Sequence, residues 1–200
     1  MHQYPLLCLV GLHGTGKTTV ARDLARHHGF AHLSLGDLGR LSRKGRLPSD
    51  IPPQLMVSVA RSKPGGILDA GTAKLLFQHI DGLRKSTAVV VDGFPACPDH
   101  LAWLDDRSLI GRLHLTDSLR ELRLTRRSEL GPRKWTPGGH SARDASLAET
   151  VHAARTMGLH LETFNNGGEK IEILTDQILH WMTRSLDANT HAGIAPVLPG

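Results

Sequence analysis

Cysteine and aromatic residues are scarce in this sequence. Its 200 residues include only two cysteines, Cys8 and Cys97, which excludes the disulfide frameworks of small secreted domains and favours the cytoplasm. Aromatic residues make up 4% of the chain, so few rings are available for stacking the bases of a single-stranded nucleic acid. We therefore expect a cytoplasmic protein with no nucleic-acid partner.

Long hydrophobic runs are missing as well. The longest, at 6–10, is far short of the roughly 20 residues that a membrane span needs, and the first residues lack the features of a signal peptide. Hydrophobic residues nevertheless make up 40% of the composition, which is enough for a closed core. Since a domain usually has roughly 100–200 residues, we expect one domain at 1–188, followed by a loose tail at 189–200. We also expect this domain to be a monomer without a membrane partner.

Basic residues outnumber acidic residues. The 24 Lys and Arg against 19 Asp and Glu give a net charge of +5. Clustered basic side chains neutralise phosphates, either those of a nucleic acid or those of a small ligand. No nucleic-acid-binding motif is visible in the sequence, which favours the small ligand. The densest basic stretch contains Arg120, Arg123, Arg126, Arg127, Arg133 and Lys134.

The hydrophobic pattern alternates between strands and helices. Apolar runs predict strands at 4–10, 30–34, 87–91, 110–115 and 170–174. Helical periodicity predicts helices at 17–28, 73–83, 118–127, 147–160 and 176–186. Strands that alternate with helices form parallel sheets covered on both faces, so the predicted fold class is α/β, with three layers and about five parallel strands. Stretches rich in proline and glycine at 41–66 and 130–142 interrupt the pattern and are candidate ligand lids.

Residues 11–18 read GLHGTGKT, which matches the P-loop pattern G-x-x-x-x-G-K-[ST] at every fixed position. Between a strand and a helix, its glycines allow backbone N–H groups to surround phosphate oxygens at a helix N-terminus. We expect Lys17 to reach the β- and γ-phosphates, the Thr18 hydroxyl to bind Mg²⁺, and the side chain of His13 to point away from the phosphates. The predicted ATP-binding residues of the loop are Gly11, His13, Gly14, Thr15, Gly16, Lys17, Thr18 and Thr19.

A carboxylate follows the predicted strand with the most β-branched residues. Asp92 ends this strand and precedes Gly93. Ligands of open α/β sheets bind at the carboxyl ends of the strands, where Asp92 can hold a water bound to Mg²⁺. The alternative interpretation is an ordinary aspartate that initiates a turn before glycine. Asp92 is thus a candidate catalytic and metal-binding residue.

Two further motifs, taken with the P-loop, resemble those of a known family. Residues 34–40 read SLGDLGR, which contains G-D-x-x-R, and residues 92–95 read DGFP. Over about residues 6–155 the chain is similar to the nucleoside monophosphate kinases, and most closely to the adenylate kinases. The resemblance implies a P-loop core with a helical acceptor-binding insert at about 37–70 and a short lid at about 128–142. It also implies transfer of the γ-phosphoryl group of ATP to a nucleoside monophosphate, with Mg²⁺.

The resemblance also implies roles for individual residues. Arg40 would hold the acceptor phosphate, and Asp37 would help to organise the water shell of the metal. Arg123 would contact ATP; a solvated basic helix face is the alternative interpretation for the arginines. The implied catalytic residues are Lys17, Asp92, Arg123, Arg127 and Arg143; the acceptor-binding residues are Asp37, Arg40, Ile67, Leu68, Gly93, His100, Arg143 and Arg155; the metal-binding residues are Thr18, Asp37 and Asp92, partly through water.

The acceptor half departs from the adenylate kinase pattern. Ala96 and His100 stand where that pattern has an arginine and the glutamine that reads adenine. Loss of the arginine removes charge-assisted hydrogen bonds of roughly 1.5–3 kcal/mol each, which disfavours AMP as the acceptor. His100 is the candidate base reader. Two alternatives stay open: a P-loop kinase for a nucleoside or other small metabolite, and a nucleotide-sensing ATPase that turns over no acceptor.

Overall fold

A parallel sheet of five strands lies at the centre of the computed structural model, which describes residues 3–46, 48–130, 142–168 and 170–192. The strands are β1 (Leu6–Val10), β2 (Ala31–Ser34), β3 (Val89–Asp92), β4 (Ser108–His114) and β5 (His160–Asn165). Their spatial order is β2-β3-β1-β4-β5, and each adjacent pair is parallel. The chain moves from β1 to one side of the sheet and returns to β4 on the other. Such a switch point opens a crevice at the carboxyl ends of the strands.

Helices cover both faces of the sheet. They are α1 (Lys17–His28), α2 (Leu35–Arg43), α3 (Pro53–Arg61), α4 (Ala70–Leu83), α5 (Asp117–Leu130), α6 (Ala142–Thr156) and α7 (Ile171–Ala192), with a 3₁₀ helix at Pro98–Trp103. Successive strand residues point to opposite faces, so Leu7 and Leu9 pack with α1 and α7, whereas Leu6 and Cys8 pack with α2, α3, α4 and α6. These two buried clusters confirm the predicted three-layer α/β fold.

The strand predicted at 170–174 is wrong. This segment contains the start of α7. The fifth strand is instead β5, which begins at the last residue of the helix predicted at 147–160 and continues beyond it. Leu174, Ile178 and Met182 recur at every fourth residue and are buried together, so the helical period outweighs the short apolar run. β5 is an edge strand in which Glu162 and Thr163 are exposed, which leaves it only a weak apolar pattern.

Helices α2 and α3 form an insert between β2 and α4. Ser34 caps α2 by accepting a hydrogen bond from the Asp37 N–H, and Ser42 Oγ donates to the Met56 carbonyl at 2.6 Å. Pro53 begins α3, where its fixed φ angle is favourable. The apolar side chains of the insert, Leu38, Leu55, Met56, Val59 and Leu68, are buried in one cluster with those of α4. The insert is therefore packed against the core.

The predicted lid and tail fall mostly outside the described residues. Residues 131–141 of the predicted lid, with Arg133 and Lys134, lie outside the described residues. Helix α5 ends before them at Leu130, and α6 begins after them at Ala142. The backbone of α7 continues to Ala192, four residues into the segment predicted as a tail. Within the described part of the chain, no helix is long and apolar enough to cross a membrane.

Candidate active site

The P-loop connects the carboxyl end of β1 to the N-terminus of α1. Gly16 immediately precedes α1 with a φ angle of 93°, in the left-handed region that favours glycine. A Cβ atom added there would lie 2.3 Å from Nδ2 of Asn166. Among the described residues no side chain caps α1 at this end, so its first N–H groups can bind an anion such as phosphate.

Lys17 lies at the base of this loop. Its Nζ donates to the carbonyls of Gly11 at 2.6 Å and Leu12 at 2.9 Å. Burial lowers the pKa of Lys17 to about 8, an effect that the carboxylates of Asp92 and Asp144 oppose. The ammonium group is thus held among P-loop atoms, with two carboxylates of the same cavity near enough to act on its charge.

Asp92 is held at the end of β3 by the neighbouring strand. Parallel pairing sets Ser34 beside Asp92, and Ser34 Oγ donates to its Oδ1 at 3.1 Å. His32 Nε2 lies 3.1 Å from the other carboxylate oxygen. Asp92 is only 5% exposed, yet it lines the cavity that the P-loop opens into. The strand register therefore fixes its carboxylate at the expected edge of the sheet.

The oxygen ligands near the P-loop fit Mg²⁺. Thr18 and Asp92 line the same cavity and offer a hydroxyl and a carboxylate, and Mg²⁺ is commonly bound by one or two such groups together with phosphates and waters. No cluster of three or more His, Cys, Asp or Glu residues among those described forms a metal cage. Asp37, by contrast, lies beyond the cavity lining and forms ion pairs with Arg22 and Arg40.

Arg123 reaches the P-loop through a residue that the sequence analysis did not identify. Its guanidinium donates to the Asn166 carbonyl at 3.0 Å, and Asn166 Nδ2 donates to the Thr15 carbonyl at 2.8 Å. Asn166 directly follows β5, and it was overlooked because that strand was not predicted. An Asn-Gly-Gly turn after a strand is the signal that indicates such a position. The buried Thr15 side chain bonds to Leu12 within the loop and does not line the cavity.

A carboxylate from α6 contacts the P-loop. Asp144 Oδ1 accepts a hydrogen bond from the backbone N–H of His13 at 3.1 Å, and its Oδ2 lies 2.6 Å from Nδ1 of the His13 ring. The His13 side chain is half-exposed, whereas that of Asp144 is 4% exposed. Both residues line the cavity. The first turn of α6 is thereby joined to the loop that is expected to bind phosphate.

Arg143, next to Asp144, joins α6 to the end of the insert. Its Nε donates to the Gly66 carbonyl at 2.8 Å. Its Nη1 lies 3.3 Å from the place of a Cβ atom at Gly93, so glycine at that position leaves room for the guanidinium group. Burial lowers the pKa of Arg143, and the nearby Asp92 opposes this effect. The side chain is thus fixed at one nitrogen, with a second nitrogen beside Gly93.

A second group of arginines lies on the insert side of the cavity. Arg40 is ion-paired with Asp37. Burial lowers the pKa of Arg127, with a further contribution from the positive charge of Arg40. Arg22, from α1, also pairs with Asp37, at 3.1 Å. Helices α1, α2 and α5 therefore bring three guanidinium groups to one side of the cavity.

Together these groups form one cavity of about 650 Å³. The cationic lining residues are Lys17, Arg22, Arg40, Arg123, Arg127 and Arg143, and the carboxylates are Asp92 and Asp144. The expected residues Gly11, His13, Gly14, Gly16, Thr18, Thr19 and Gly93 line it too. The excess of positive charge suits a ligand with several phosphates or other anionic groups.

Besides Asp37, four other predicted acceptor residues lie outside this cavity lining. Ile67 is 39% exposed, Leu68 is buried in the core, and Arg155 is exposed on α6. His100 is 3% exposed, and both of its ring nitrogens are hydrogen-bonded within the chain. This geometry does not support His100 as a base reader, because its polar atoms already have partners.

Sequence comparisons relate the chain to known P-loop proteins. The family model described as AAA domain matches residues 7–148. The adenylate kinase of Lactobacillus delbrueckii subsp. bulgaricus is 27% identical over 100 residues, which are 50% of this chain and 44% of that protein. Adenylate kinase 9 of Mus musculus is 30% identical over 105 residues, 52% of this chain and 5% of that protein. The matches therefore span less than half the length of these relatives.

Solved structures with the same fold include two small-molecule kinases. A gluconokinase from Sinorhizobium meliloti 1021 superposes with a TM-score of 0.57 at 13% identity and covers 96% of this chain and 100% of that chain. A shikimate kinase from Acinetobacter baumannii, in complex with shikimate, gives a TM-score of 0.51 at 20% identity, covering 90% and 94%. The fold is that of P-loop kinases. The predicted resemblance to the adenylate kinases is confirmed as a similarity of sequence and fold.

Proposed function

The chain belongs to the AAA domain family, and on this premise we propose that it is an ATP- and Mg²⁺-dependent phosphotransferase of the adenylate kinase type. One observation carries the proposal: the P-loop and the arginines from α2, α5 and α6 line a single cavity. A donor nucleotide bound at the P-loop would have its γ-phosphate directed toward these arginines. An acceptor bound among them would then lie next to the group to be transferred.

The side chains of the cavity are suited to the charge changes of phosphoryl transfer. This reaction depends mainly on positioning and on stabilising the charge of the transferred group. Lys17 would bind the terminal phosphates, and Arg123, Arg127 and Arg143 would stabilise the oxygens of the moving phosphoryl group. Mg²⁺, when bound, neutralises phosphate charge, and Thr18 and Asp92 would hold it, in part through water. The bond from the γ-phosphorus to ADP breaks as a bond to an acceptor oxygen forms.

A nucleoside monophosphate is the acceptor that the adenylate kinase resemblance favours. Arg40 and Gly93 would bind it as the motifs G-D-x-x-R and DGFP imply. A specific observation favours the second candidate, a small metabolite that is not a nucleotide. Ile67, Leu68, His100 and Arg155, which would contact the nucleotide, lie outside the cavity lining. The gluconokinase and the shikimate kinase show that this fold accommodates such acceptors in other proteins.

Initial rates of ADP formation test the proposal. The full chain is incubated with ATP and Mg²⁺, together with nucleoside monophosphates, nucleosides, sugars or small hydroxy acids. We expect ADP to form only when a suitable acceptor is present. ADP formation at the same rate without any acceptor would identify an ATPase. Tight nucleotide binding with no turnover would instead support a nucleotide-sensing module.

A further inference from the structure

Two residues predicted to contact the acceptor base, His100 and Leu68, are bonded to each other inside the chain. The His100 ring stacks on Phe94 with ring centroids 4.6 Å apart and an interplanar angle of 17°. Its Nδ1 accepts from the Ala96 N–H, and its Nε2 donates to the Leu68 carbonyl, both at 3.1 Å. A stacked ring with both nitrogens bonded has no ring nitrogen left with which to read a base.

This internal contact is buried and built into the core. Phe94, His100 and Leu68 are 0%, 3% and 3% exposed. Phe94 also packs against Phe77 of α4, whose ring centroid lies 5.8 Å away. Turning the His100 ring toward a base would therefore require loss of two buried hydrogen bonds and an aromatic stack. Closely packed protein interiors resist such a rearrangement, because buried polar groups left without partners cost free energy.

The cavity itself offers little to a base. Among the described residues, no Phe, Tyr or Trp lines it. The apolar part of the lining consists of Val10, Pro95, Ala96, Leu124, Leu147 and Ile171. None of these side chains carries a hydrogen-bonding group that could distinguish one base from another. Recognition of an acceptor therefore falls to the polar and charged side chains of the lining, among which arginine is the commonest.

Arg40 and Arg143 are placed to provide that recognition. Arg143 is anchored by its Nε to the Gly66 carbonyl, and its Nη1 lies beside Gly93 at the cavity wall. Arg40 lies over Gly36, where its Nη1 is 3.2 Å from the place of an added Cβ atom. Guanidinium groups bind carboxylates and phosphates through paired hydrogen bonds. The two arginines come from α2 and α6 and line the same cavity.

We infer that the acceptor is a small aliphatic alcohol with an anionic group, a carboxylate or a phosphate, that Arg40 and Arg143 bind without contact to a base. This inference rests on the proposed function, because it names the acceptor class for the same cavity. The acceptor hydroxyl oxygen forms the new bond to the γ-phosphorus, ADP leaves with the electron pair of the broken bond, and the hydroxyl proton passes to solvent.

Binding to matched pairs of probes tests this acceptor class independently of turnover. The full chain is saturated with Mg²⁺ and a non-hydrolysable ATP analogue, and the probes are then titrated by calorimetry. The pairs are gluconate and glucose, glycerate and glycerol, and ribose 5-phosphate and ribose, with AMP added for comparison with ribose 5-phosphate. We expect binding by at least one anionic member and not by its neutral partner, and no gain for AMP. Comparing the carboxylates with ribose 5-phosphate distinguishes the two anionic groups.

Substitution of the two arginines ties the binding to this site. Arg40→Gln and Arg143→Gln should each weaken binding of the anionic probe on the order of 10- to 100-fold, because charge-assisted hydrogen bonds are lost. Arg61→Gln, exposed at the end of α3 and outside the cavity lining, is the matched control and should have no effect. Unchanged thermal unfolding without ligand would show that the variants fold.

Several results would overturn the inference. They are AMP binding at least tenfold more tightly than ribose 5-phosphate, equal binding of the anionic and neutral partners, and binding of no anionic probe while the ATP analogue binds. Anionic binding that survives both arginine substitutions would place the site elsewhere and overturn it as well. Failure of the ATP analogue itself to bind the folded chain would instead contradict the proposed function.

Discussion

The donor side and the acceptor side of the cavity are built in different ways. The proposed donor side is a contiguous loop at 11–18, whose backbone groups and Lys17 would surround the phosphates. The proposed acceptor side is assembled from distant elements, with Arg40 on α2, Asp92 on β3 and Arg143 on α6. The P-loop matches its full pattern, whereas Ala96 and His100 differ from the adenylate kinase pattern on the proposed acceptor side. A complete P-loop motif therefore does not by itself identify the acceptor.

Replacing the P-loop lysine should have the largest effect. Lys17→Ala removes the ammonium group that would bind the terminal phosphates, so we expect phosphoryl transfer to fall about 10³-fold, or about 4 kcal/mol. The rate of ADP formation measures this loss, and circular dichroism checks the fold. Lys74→Ala, which removes an exposed lysine of α4 outside the cavity lining, is the control. Full activity of Lys17→Ala would remove the P-loop from the mechanism.

On the acceptor side, the corresponding test concerns stability rather than catalysis. His100→Leu leaves the Ala96 N–H and the Leu68 carbonyl without their partners, so the free energy of unfolding should fall by about 2 kcal/mol or more. Urea denaturation measures the change, and affinity for the ATP analogue should stay the same. His152→Leu, at an exposed position of α6, should leave stability unchanged. An unaltered stability of His100→Leu would contradict the buried contact described here.

The same histidine predicts a dependence of stability on pH. Burial lowers the pKa of His100; the hydrogen bond to the Leu68 carbonyl and the charge of Asp99 oppose this effect, and Arg143 adds to it. In the unfolded chain His100 therefore takes up a proton near pH 6.5, roughly the usual value, whereas in the folded protein it stays neutral to a lower pH. The contribution of the neutral ring to the free energy of unfolding should be complete above that pH. It should decrease as the pH drops below that value, by at most about 1.4 kcal/mol per pH unit.

The variant His100→Gln isolates this contribution. Burial also lowers the pKa of His79, so the wild-type slope has more than one source. Urea denaturation gives the free energy of unfolding of both proteins from about pH 5 to about pH 7, around the usual pKa of histidine. The difference between wild type and His100→Gln in the pH dependence of this free energy is the contribution of His100. Equal slopes for the two proteins would contradict a neutral, buried His100.

The contact between α6 and the P-loop predicts the smallest effect. The Asp144 carboxylate accepts from the His13 N–H, which a phosphate oxygen would also use. Asp144→Asn keeps the shape but removes the negative charge, so affinity for ADP should rise about fivefold, the equivalent of about 1 kcal/mol. Calorimetry measures it, with the exposed Asp176→Asn as the control. A weaker affinity would show that Asp144 supports nucleotide binding instead of competing with it.

Prediction from the sequence was accurate where the signal was local. The helix at 17–28 and its end at Gly29 were predicted correctly, because a P-loop opens it and a left-handed glycine ends it. The fifth strand was predicted in the wrong place, because β5 is an exposed edge strand whose neighbour β4 supplies its stability. That error also concealed Asn166, whose role depends on where β5 ends.

The amino-acid sequence alone was sufficient for the P-loop, the parallel α/β class and the position of Asp92. Each follows from short-range properties: glycine conformation, strand and helix periodicity, and the carboxyl edge of a strand. Only the tertiary structure decided that His100 packs against Phe94 and Leu68, and that Arg143 reaches Gly66. The bonds to Leu68 and Gly66 join residues 32 and 77 positions apart, and no local pattern encodes which distant groups satisfy a buried ring or guanidinium.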